Sequence, residues 1–241
     1  DIPLRPWHTV QVNRATSDET VEAWAEAYVA TDVLATKLRP PPPPATWRSS
    51  PAAQRLTRPG RPPELEIVDR APRMPRSLRS AEARARILHR FLHHELQAAE
   101  LMAWAILAFP NTPADFRAGL LTVMQDELRH MGMYEAHLQT LGHTFGDFPV
   151  RDWFWERVPS CETPLQFVAC LGIGFEGGNL EHAARFAERF RAVGDEVGAQ
   201  VQDQVGAEEV AHVRFAVTWF HTFGGPLDFD RWVAELPEPL D

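Results

Sequence analysis

The chain has 241 residues, is 44% hydrophobic and carries a formal net charge of −9. This is enough for one domain with a hydrophobic core, and the negative charge argues against general nucleic-acid binding. The two cysteines match no zinc or redox spacing, no run of 18 apolar residues occurs, and no signal peptide opens the chain, so we expect free thiols, a cytoplasmic location and no membrane segment.

Residues 1–79 predict a helix and an irregular strap. Residues 1–16 show only a short alternation over Thr9 to Val12. From Ser17 onwards, apolar residues recur at spacings of three and four, which predicts one amphipathic helix over about 18–38. Pro40 to Pro44 end it, because consecutive prolines adopt an extended helix. Residues 45–78 are rich in proline and arginine; scattered apolar residues favour a strap packed on the domain over a disordered linker.

The charge is unevenly distributed. Residues 39–90 contain twelve arginines and four acidic residues, a charge of +8, so the remainder carries −17. Pairing of these arginines with the acidic remainder is the ordinary explanation. Contact with the phosphates of an RNA substrate is the alternative.

Four long helices are predicted at about 80–109, 113–141, 163–192 and 195–223, each with one apolar stripe. Short segments that break the helical pattern join the first helix to the second and the third helix to the fourth, which gives two hairpins. The 22-residue connection between the hairpins can span roughly 70 Å, whereas a 29-residue helix is about 43 Å long. We therefore predict an all-α four-helix bundle over 80–223 with a long crossover between its second and third helices. Residues 224–241 form a tail.

One short run and its weaker repeat organise the bundle. Asp126 to His130 reads Asp-Glu-Leu-Arg-His, and Glu208 to His212 reads Glu-Glu-Val-Ala-His. In each, a glutamate precedes a histidine by three residues, which places both side chains on one helix face. Each copy also has a glutamate 32 or 33 residues upstream. Together the hairpins supply the ligand set with which a helix bundle holds two metal ions: Glu95, Glu127, His130, Glu176, Glu209 and His212.

The position of these carboxylates is the physical reason to expect metal. Glu95 lies within an apolar stripe, where a carboxylate is costly unless it is neutralised. Glu100 and Glu181 are alternative ligands, because they lie 27 and 28 residues before their partners. Folding the first hairpin about Asn111 places position 127 opposite position 95, so the facing geometry favours Glu95 and Glu176.

Several further residues have two readings. Tyr134 follows Glu127 by one heptad and is a candidate catalytic residue, although packing is the commoner role of a lone tyrosine. His89, His93 and His94 are expected on the surface or beside the ligands. Four glycines between Gly172 and Gly178 indicate close helix packing, a π-bulge or room for a small ligand beside Glu176.

The six-residue set resembles the ferritin-like di-metal carboxylate superfamily, over about residues 80–223. Within it, His93-x-Glu95-Leu-Gln-Ala and Gly146-Asp-Phe-Pro149 resemble a branch known only as a ferritin-like domain of unknown function. The run from Asp126 is similar to that of bacterial hydrocarbon monooxygenase hydroxylases. That resemblance implies that Asp126 holds His212, that Glu208 holds His130 and that Arg129 pairs with the aspartate. The second copy departs from the pattern, with Glu208 for aspartate and Ala211 for arginine.

Carboxylate and imidazole ligands without thiolates suit iron or manganese. The sequence therefore predicts a di-iron, or mixed manganese–iron, oxidoreductase that uses O2 to oxidise a small organic substrate. An external electron donor is expected, a homodimer is compatible, and no membrane or nucleic-acid partner is expected. The alternatives are an iron-handling ferroxidase or storage protein, an RNA-modifying hydroxylase and a metal-free interaction bundle.

Overall fold

The computed structural model describes residues 20–237, and every regular element within them is helical. The predicted all-α class is therefore confirmed; the alternation at Thr9 to Val12 lies outside the described residues. The elements are α1 (Val21–Ala30), α2 (Leu34–Leu38), α3 (Ala81–Ala108), α4 (Ala114–Thr140), a 3-10 turn (Val158–Ser160), α5 (Pro164–Phe167), a π-helical segment (Val168–Phe175), α6 (Glu176–Arg191), α7 (Glu196–Gly224) and α8 (Phe229–Ala234).

The four long helices pack as two hairpins, α3 with α4 and α6 with α7. Their observed ends lie close to the predicted ones, because each sequence signal acts locally. Ser80 accepts a hydrogen bond from the amide of Ala83 at the start of α3, and Asp195 accepts one from the amide of Gly198 at the start of α7. Such side chains satisfy amide groups that have no partner within the helix.

The connection between α4 and α5 runs along α3. Three hydrogen bonds mark its path: Gly146 N to His89 Nε2 at 2.9 Å, Phe154 N to Gln97 Oε1 at 3.0 Å, and Trp155 Nε1 to Glu100 Oε2 at 2.8 Å. These contacts advance from the N-terminal half of α3 towards its C-terminal end. The second hairpin thus starts at the end of the bundle opposite to the end of α4, which is the predicted crossover.

The single N-terminal helix predicted over about 18–38 is wrong, because the chain breaks after Ala30 into α1 and α2. Thr31 has extended backbone angles, φ −63° and ψ 141°. The break turns Lys37 back so that its Nζ donates to the carbonyl oxygens of Tyr28 and Val29, both at 2.9 Å. These carbonyls lie at the end of α1, where helical partners are lacking.

Residues 39–79 form an irregular strap packed on the helices, as the apolar residues in it predicted. Leu65 and Leu78 are buried, and Trp47 and Leu56 pack against the core. One parallel bridge joins Ile67 to Val150. Gly60 lies against α1, where a Cβ atom would be 2.1 Å from the carbonyl oxygen of Ala30, so only glycine fits.

The arginines of the strap and of α3 divide into two groups. Some pair with acidic groups of the bundle, as Arg39 does with Glu135 and Arg84 does with Asp195. Others are exposed and have no ion pair among the described residues: Arg48, Arg55, Arg58, Arg70, Arg73, Arg76 and Arg79. The pairing explanation thus accounts for only part of the positive charge.

The third bundle helix is interrupted beside Glu176 by the π-helical segment. A π-helix leaves carbonyls without their usual partners, and Trp232 Nε1 of α8 donates to the oxygen of Ala169 at 2.9 Å. Gly172 is needed for close packing, since a Cβ atom there would be 2.4 Å from Cβ of Ala216. Gly177 has no atom within 4 Å of such a position. Close packing therefore explains Gly172 but not Gly177, and the π-helix that the glycine cluster indicated is present.

This contrast predicts opposite effects of one methyl group. Gly172→Ala should destabilise the protein by roughly 1–3 kcal/mol, because the new Cβ atom overpacks the contact with α7. Gly177→Ala should change stability little or raise it by up to about 1 kcal/mol, because alanine is the better helix former and meets open space. Urea denaturation of both metal-free variants measures the difference, and equal effects would contradict the assigned packing.

The buried apolar residues form two clusters. One contains the C-terminal part of α3 with α1, α5 and the end of α7; the other contains the N-terminal part of α3 with the end of α4 and the start of α7. Glu95, Glu127, Glu176 and Glu209 lie between them along their helices. Over residues 20–237, no helix combines the length and apolarity required to cross a lipid bilayer.

Candidate metal centre

Four of the six predicted ligands form one cluster. Ligand atoms of Glu95, Glu127, His130 and Glu209 all lie within 4.8 Å of one another. They come from α3, α4 and α7, and none of these residues is more than 4% exposed. The group could therefore bind metal ions through oxygen and nitrogen.

His212 lies against the same group. Its Nδ1 atom is 3.0 Å from Glu127 Oε1 and 2.9 Å from Glu209 Oε2. His130 repeats the arrangement, with Nδ1 at 3.2 Å from Glu127 Oε2 and 3.7 Å from Glu209 Oε1. Both histidines thus turn the same ring nitrogen towards the same two carboxylates.

The outer nitrogen of each histidine contacts an acidic residue of the facing helix. His130 Nε2 is 2.7 Å from Glu208 Oε2, and His212 Nε2 is 3.2 Å from Asp126 Oδ2. Arg129 contacts both acids, with 2.5 Å between its guanidinium and Asp126. Arg129 therefore contacts the acidic residues beside both histidines, although the second copy of the motif has alanine at position 211, where the first copy has arginine. Such outer contacts fix the tautomer and the orientation of a ligating imidazole.

Glu176, the predicted ligand on α6, is also buried but is not one of the four clustered residues. Its Oε1 atom has no hydrogen-bond partner among the described residues. Asn179, three residues later, donates to Glu209 Oε1 at 3.3 Å. Asn179 was not among the predicted site residues, although it follows Glu176 by three residues, the same spacing as in Glu-x-x-His, and this spacing could have revealed it.

The pKa shifts in the centre show which protons a bound cation would replace. Burial, followed by the charge of Glu127, raises the pKa of Glu95; burial and then the charge of Glu209 raise the pKa of Glu176. Burial opposes the charged form of His212, but hydrogen bonds with Glu127 and Glu209 raise its pKa to about 12. Without a metal, the centre therefore keeps protons on its histidines and on some of its carboxylates.

Tyr134 is a buried neighbour of this group. Its hydroxyl accepts a hydrogen bond from Gln202 Nε2 at 3.1 Å. Burial and then the charge of Glu95 raise its pKa well above the ordinary value, so the phenol is neutral. Its ring packs against Phe91, with 5.7 Å between the ring centres. These contacts describe a packed side chain next to the carboxylates, and a catalytic role for Tyr134 stays a prediction.

The two alternative glutamates lie elsewhere. Glu100 is fully buried, but its oxygens contact Lys37 at 2.7 Å and Arg61 at 2.7 and 2.9 Å. Glu181 is exposed. Both observations favour Glu95 and Glu176 as the residues available to a metal.

The histidines of α3 are mostly buried rather than on the surface. His89 accepts a hydrogen bond from the connection, and His93 Nδ1 lies 3.1 Å from Gln97 Nε2. Neither belongs to the group of possible ligands. Their role is to hold neighbouring segments in place, and such contacts depend on how the chain folds rather than on the local sequence.

A cavity of about 460 Å³ reaches two of the carboxylates, Glu95 and Glu176. Small-molecule sites commonly enclose about 300–1,000 Å³. Most of its wall is apolar, and the aromatic side chains in it are Phe91, Trp153, Phe154, Phe175 and Phe186. Gly174 and Gly178 also line it, whereas Gly172 and Gly177 do not. The expected room beside Glu176 is therefore present, mainly between α3, α6 and the connection.

Comparison with known proteins gives the following matches. A family model described as "Protein of unknown function (DUF455)" matches residues 11–234. An uncharacterised protein of Haemophilus influenzae is 26% identical over 154 residues, which cover 61% of this chain. The match spans about half, 54%, of that protein's length. No solved structure matches the chain.

Proposed function

The chain belongs to the family of proteins of unknown function called DUF455, and we propose that it is a ferritin-like di-metal oxidoreductase that uses O2 to oxidise a small organic substrate. Two hairpins, a lengthwise crossover and ligands from all four long helices support the ferritin-like assignment.

The side chains present fit a pair of metal ions. Four buried carboxylates balance the charge of two divalent cations, and two imidazoles complete the set with no thiolate. The unpartnered Oε1 of Glu176 points to a missing electrophilic partner, because a buried carboxylate oxygen normally has one. The donor set favours two irons, or one manganese and one iron, held by Glu95, Glu127, His130, Glu176, Glu209 and His212.

The pair of ions would supply the binding of O2 and the electrons for its reduction. The protein positions the ligands: Asp126 and Glu208 hold the outer nitrogens of the two histidines, and Arg129 holds the two acids. The fixed rings then direct Nδ1 inwards. Replacing Arg129 should leave the ligands in place but remove the contacts that hold the side chains of Asp126 and Glu208.

The cavity is the observation that favours an enzyme over an iron store. Its aromatic walls make the space that ends at Glu95 and Glu176 mostly apolar, and such a space suits an organic substrate. An iron-handling protein needs only a hydrophilic route for ions. The external electron donor follows from the proposed use of O2 and has no assigned contact surface.

Controlled oxidation tests the proposal. Metal-free protein is loaded anaerobically with iron(II), exposed to O2 and followed by optical spectroscopy and iron analysis. We expect about two irons per chain to be oxidised once, since the proposed ligand set holds two ions. Continued oxidation of many irons per chain into a mineral would overturn the oxidoreductase and favour the iron-handling alternative.

A further inference from the structure

The mouth of the cavity carries positive charge without a matching acid. Arg90 of α3 and Arg185 of α6 both line the cavity. Within residues 20–237, neither guanidinium forms an ion pair with a carboxylate. Arg90 is half-buried and donates to the carbonyl oxygen of Pro72, while Arg185 is exposed above the ring of Phe186. Burial without a carboxylate lowers the pKa of Arg90, which shows the cost of leaving this group unpaired.

Other basic groups in the wall are neutralised. Arg151 contacts both oxygens of Glu156, at 2.8 and 2.5 Å. Burial lowers the pKa of His94 to about 3, so its imidazole is neutral. The unmatched positive charge in the wall therefore comes from Arg90 and Arg185.

The strap adds positive charge beside this opening. Ala71 and Met74 line the cavity, and Arg189 of α6 donates to the carbonyl oxygens of Pro75 and Arg76. The exposed side chains of Arg70, Arg73 and Arg76 flank these residues. Because nearby charges of one sign attract a counter-ion to a concave site, the mouth is suited to an anion.

The opposite end of the cavity offers an anion no arginine. Glu95 and Glu176 are there, and the walls between the two ends are aromatic. A molecule with an apolar body and one charged end therefore has one favourable orientation. Its anionic group lies at the mouth, and its apolar end lies next to the carboxylates.

We propose that the cavity binds an organic anion, with an apolar body in the aromatic space and a carboxylate or phosphate held by Arg90 and Arg185. This rests on the proposed function for the statement that the anion is the substrate. The binding of the anion itself depends only on the cavity and its two arginines.

Binding of a matched ligand series tests the inference. Isothermal titration uses 4-phenylbutyrate and 4-phenylbutyl phosphate as anions, with 4-phenylbutanol and 4-phenylbutylamine as neutral and cationic analogues. We expect both anions to bind and the alcohol to bind about tenfold more weakly, because it lacks the charge-assisted contact. Equal binding of acid and alcohol, or preference for the amine, would overturn the inference. The carboxylate-to-phosphate ratio identifies which anion the arginines prefer.

Variants locate the bound anion. Arg185→Gln and Arg90→Gln together should weaken 4-phenylbutyrate binding about tenfold, and Arg185→Gln alone about threefold. Arg151→Gln makes the same change in charge at a wall residue whose guanidinium is already paired, and should have less effect. If Arg151→Gln weakens binding as much as Arg185→Gln, the anion is attracted by net charge only and the assigned site is wrong.

A second pair of variants tests the enclosure without removing charge. Gly178→Leu adds a side chain to the cavity wall, and Gly177→Leu adds one to open space outside it. Only Gly178→Leu should reduce binding of 4-phenylbutyrate. Equal reduction by both variants would contradict binding in this cavity.

Titrating metal-free and anaerobically iron-loaded protein separates this inference from the proposed function. Anion binding without uptake of iron would keep the ligand class and reject the di-metal function. Iron uptake and oxidation without preference for anions would reject the ligand class alone. A short single-stranded RNA that displaces 4-phenylbutyrate and binds more tightly than the phosphate ester would overturn the small-molecule assignment.

Discussion

Replacement of Glu95 by alanine should reduce the metal content from the proposed two ions per chain to one or none. Glu95 belongs to the cluster of possible ligands, whose ligand atoms lie within 4.8 Å of one another, so its removal would take away an oxygen ligand that the proposed pair of ions needs. Glu176→Ala should have the same effect. Elemental analysis after anaerobic loading with iron(II) and desalting measures the content.

Glu181→Ala is the matched control, since Glu181 is exposed on α6 and should leave both ions bound. The metal-free Glu95 variant should be no less stable than metal-free wild type, because it removes a buried carboxylate whose pKa burial and Glu127 raise. Loss of metal together with loss of fold would not be specific to ligation. Retention of two ions in the folded Glu95 variant would contradict the assigned ligand set.

Replacement of Glu100 by glutamine should destabilise the protein by about 3–5 kcal/mol, the usual effect of leaving a buried charge without its partner. Glu100 and Lys37 are both fully buried, 2.7 Å apart, and Arg61 and Trp155 contact the same carboxylate. Burial would raise the pKa of Glu100, but the charges of Arg61 and Lys37 hold it below the ordinary value. The variant leaves the buried Lys37 without a counter-charge, while Arg61 keeps its ion pair with Asp152.

Urea denaturation measures this loss, and Glu181→Gln, with the same change at an exposed position, should lie within about 0.5 kcal/mol of wild type. A reduction of less than about 1 kcal/mol for Glu100→Gln would contradict the role of this ion group in holding the strap. Metal content should remain at the wild-type value in any fraction that folds. Loss of metal from that fraction would require Glu100 to be reconsidered as a ligand.

The bundle could be predicted from sequence because its signals are local and repeat along each helix. The apolar stripes and the breaks between them give the four helices and their approximate ends. The length of the connection gives the crossover. The register followed from folding the first hairpin about Asn111, which placed Glu127 opposite Glu95.

The remaining features depend on contacts between distant parts of the chain. The break between α1 and α2 could not be predicted, since the buried position that it gives Lys37 depends on Glu100, 63 positions later. His89 and His93 could be placed only once the connection was known to run along α3. A π-helix was one of several interpretations of the four glycines. Which of these positions requires glycine depends on packing against Ala216 of another helix.

The two arginines at the cavity mouth also could not be predicted to lie together. Arg90 belongs to a basic stretch that composition alone identifies, and Arg185 belongs to a different helix. Their shared position depends on how α3 and α6 pack. The positive charge of residues 39–90 suggested contact with RNA as an alternative. In the structure, some of these arginines form ion pairs with the bundle and others lie beside one cavity.

Anomalous scattering at the iron and manganese edges, from one crystal grown after anaerobic loading with both metals, would reveal the metal pair itself. We expect two peaks between α3, α4, α6 and α7, each next to one of His130 and His212. The edge at which each peak appears identifies the metal. A centre without a peak, in a crystal whose solution contained excess metal, would contradict a di-metal protein.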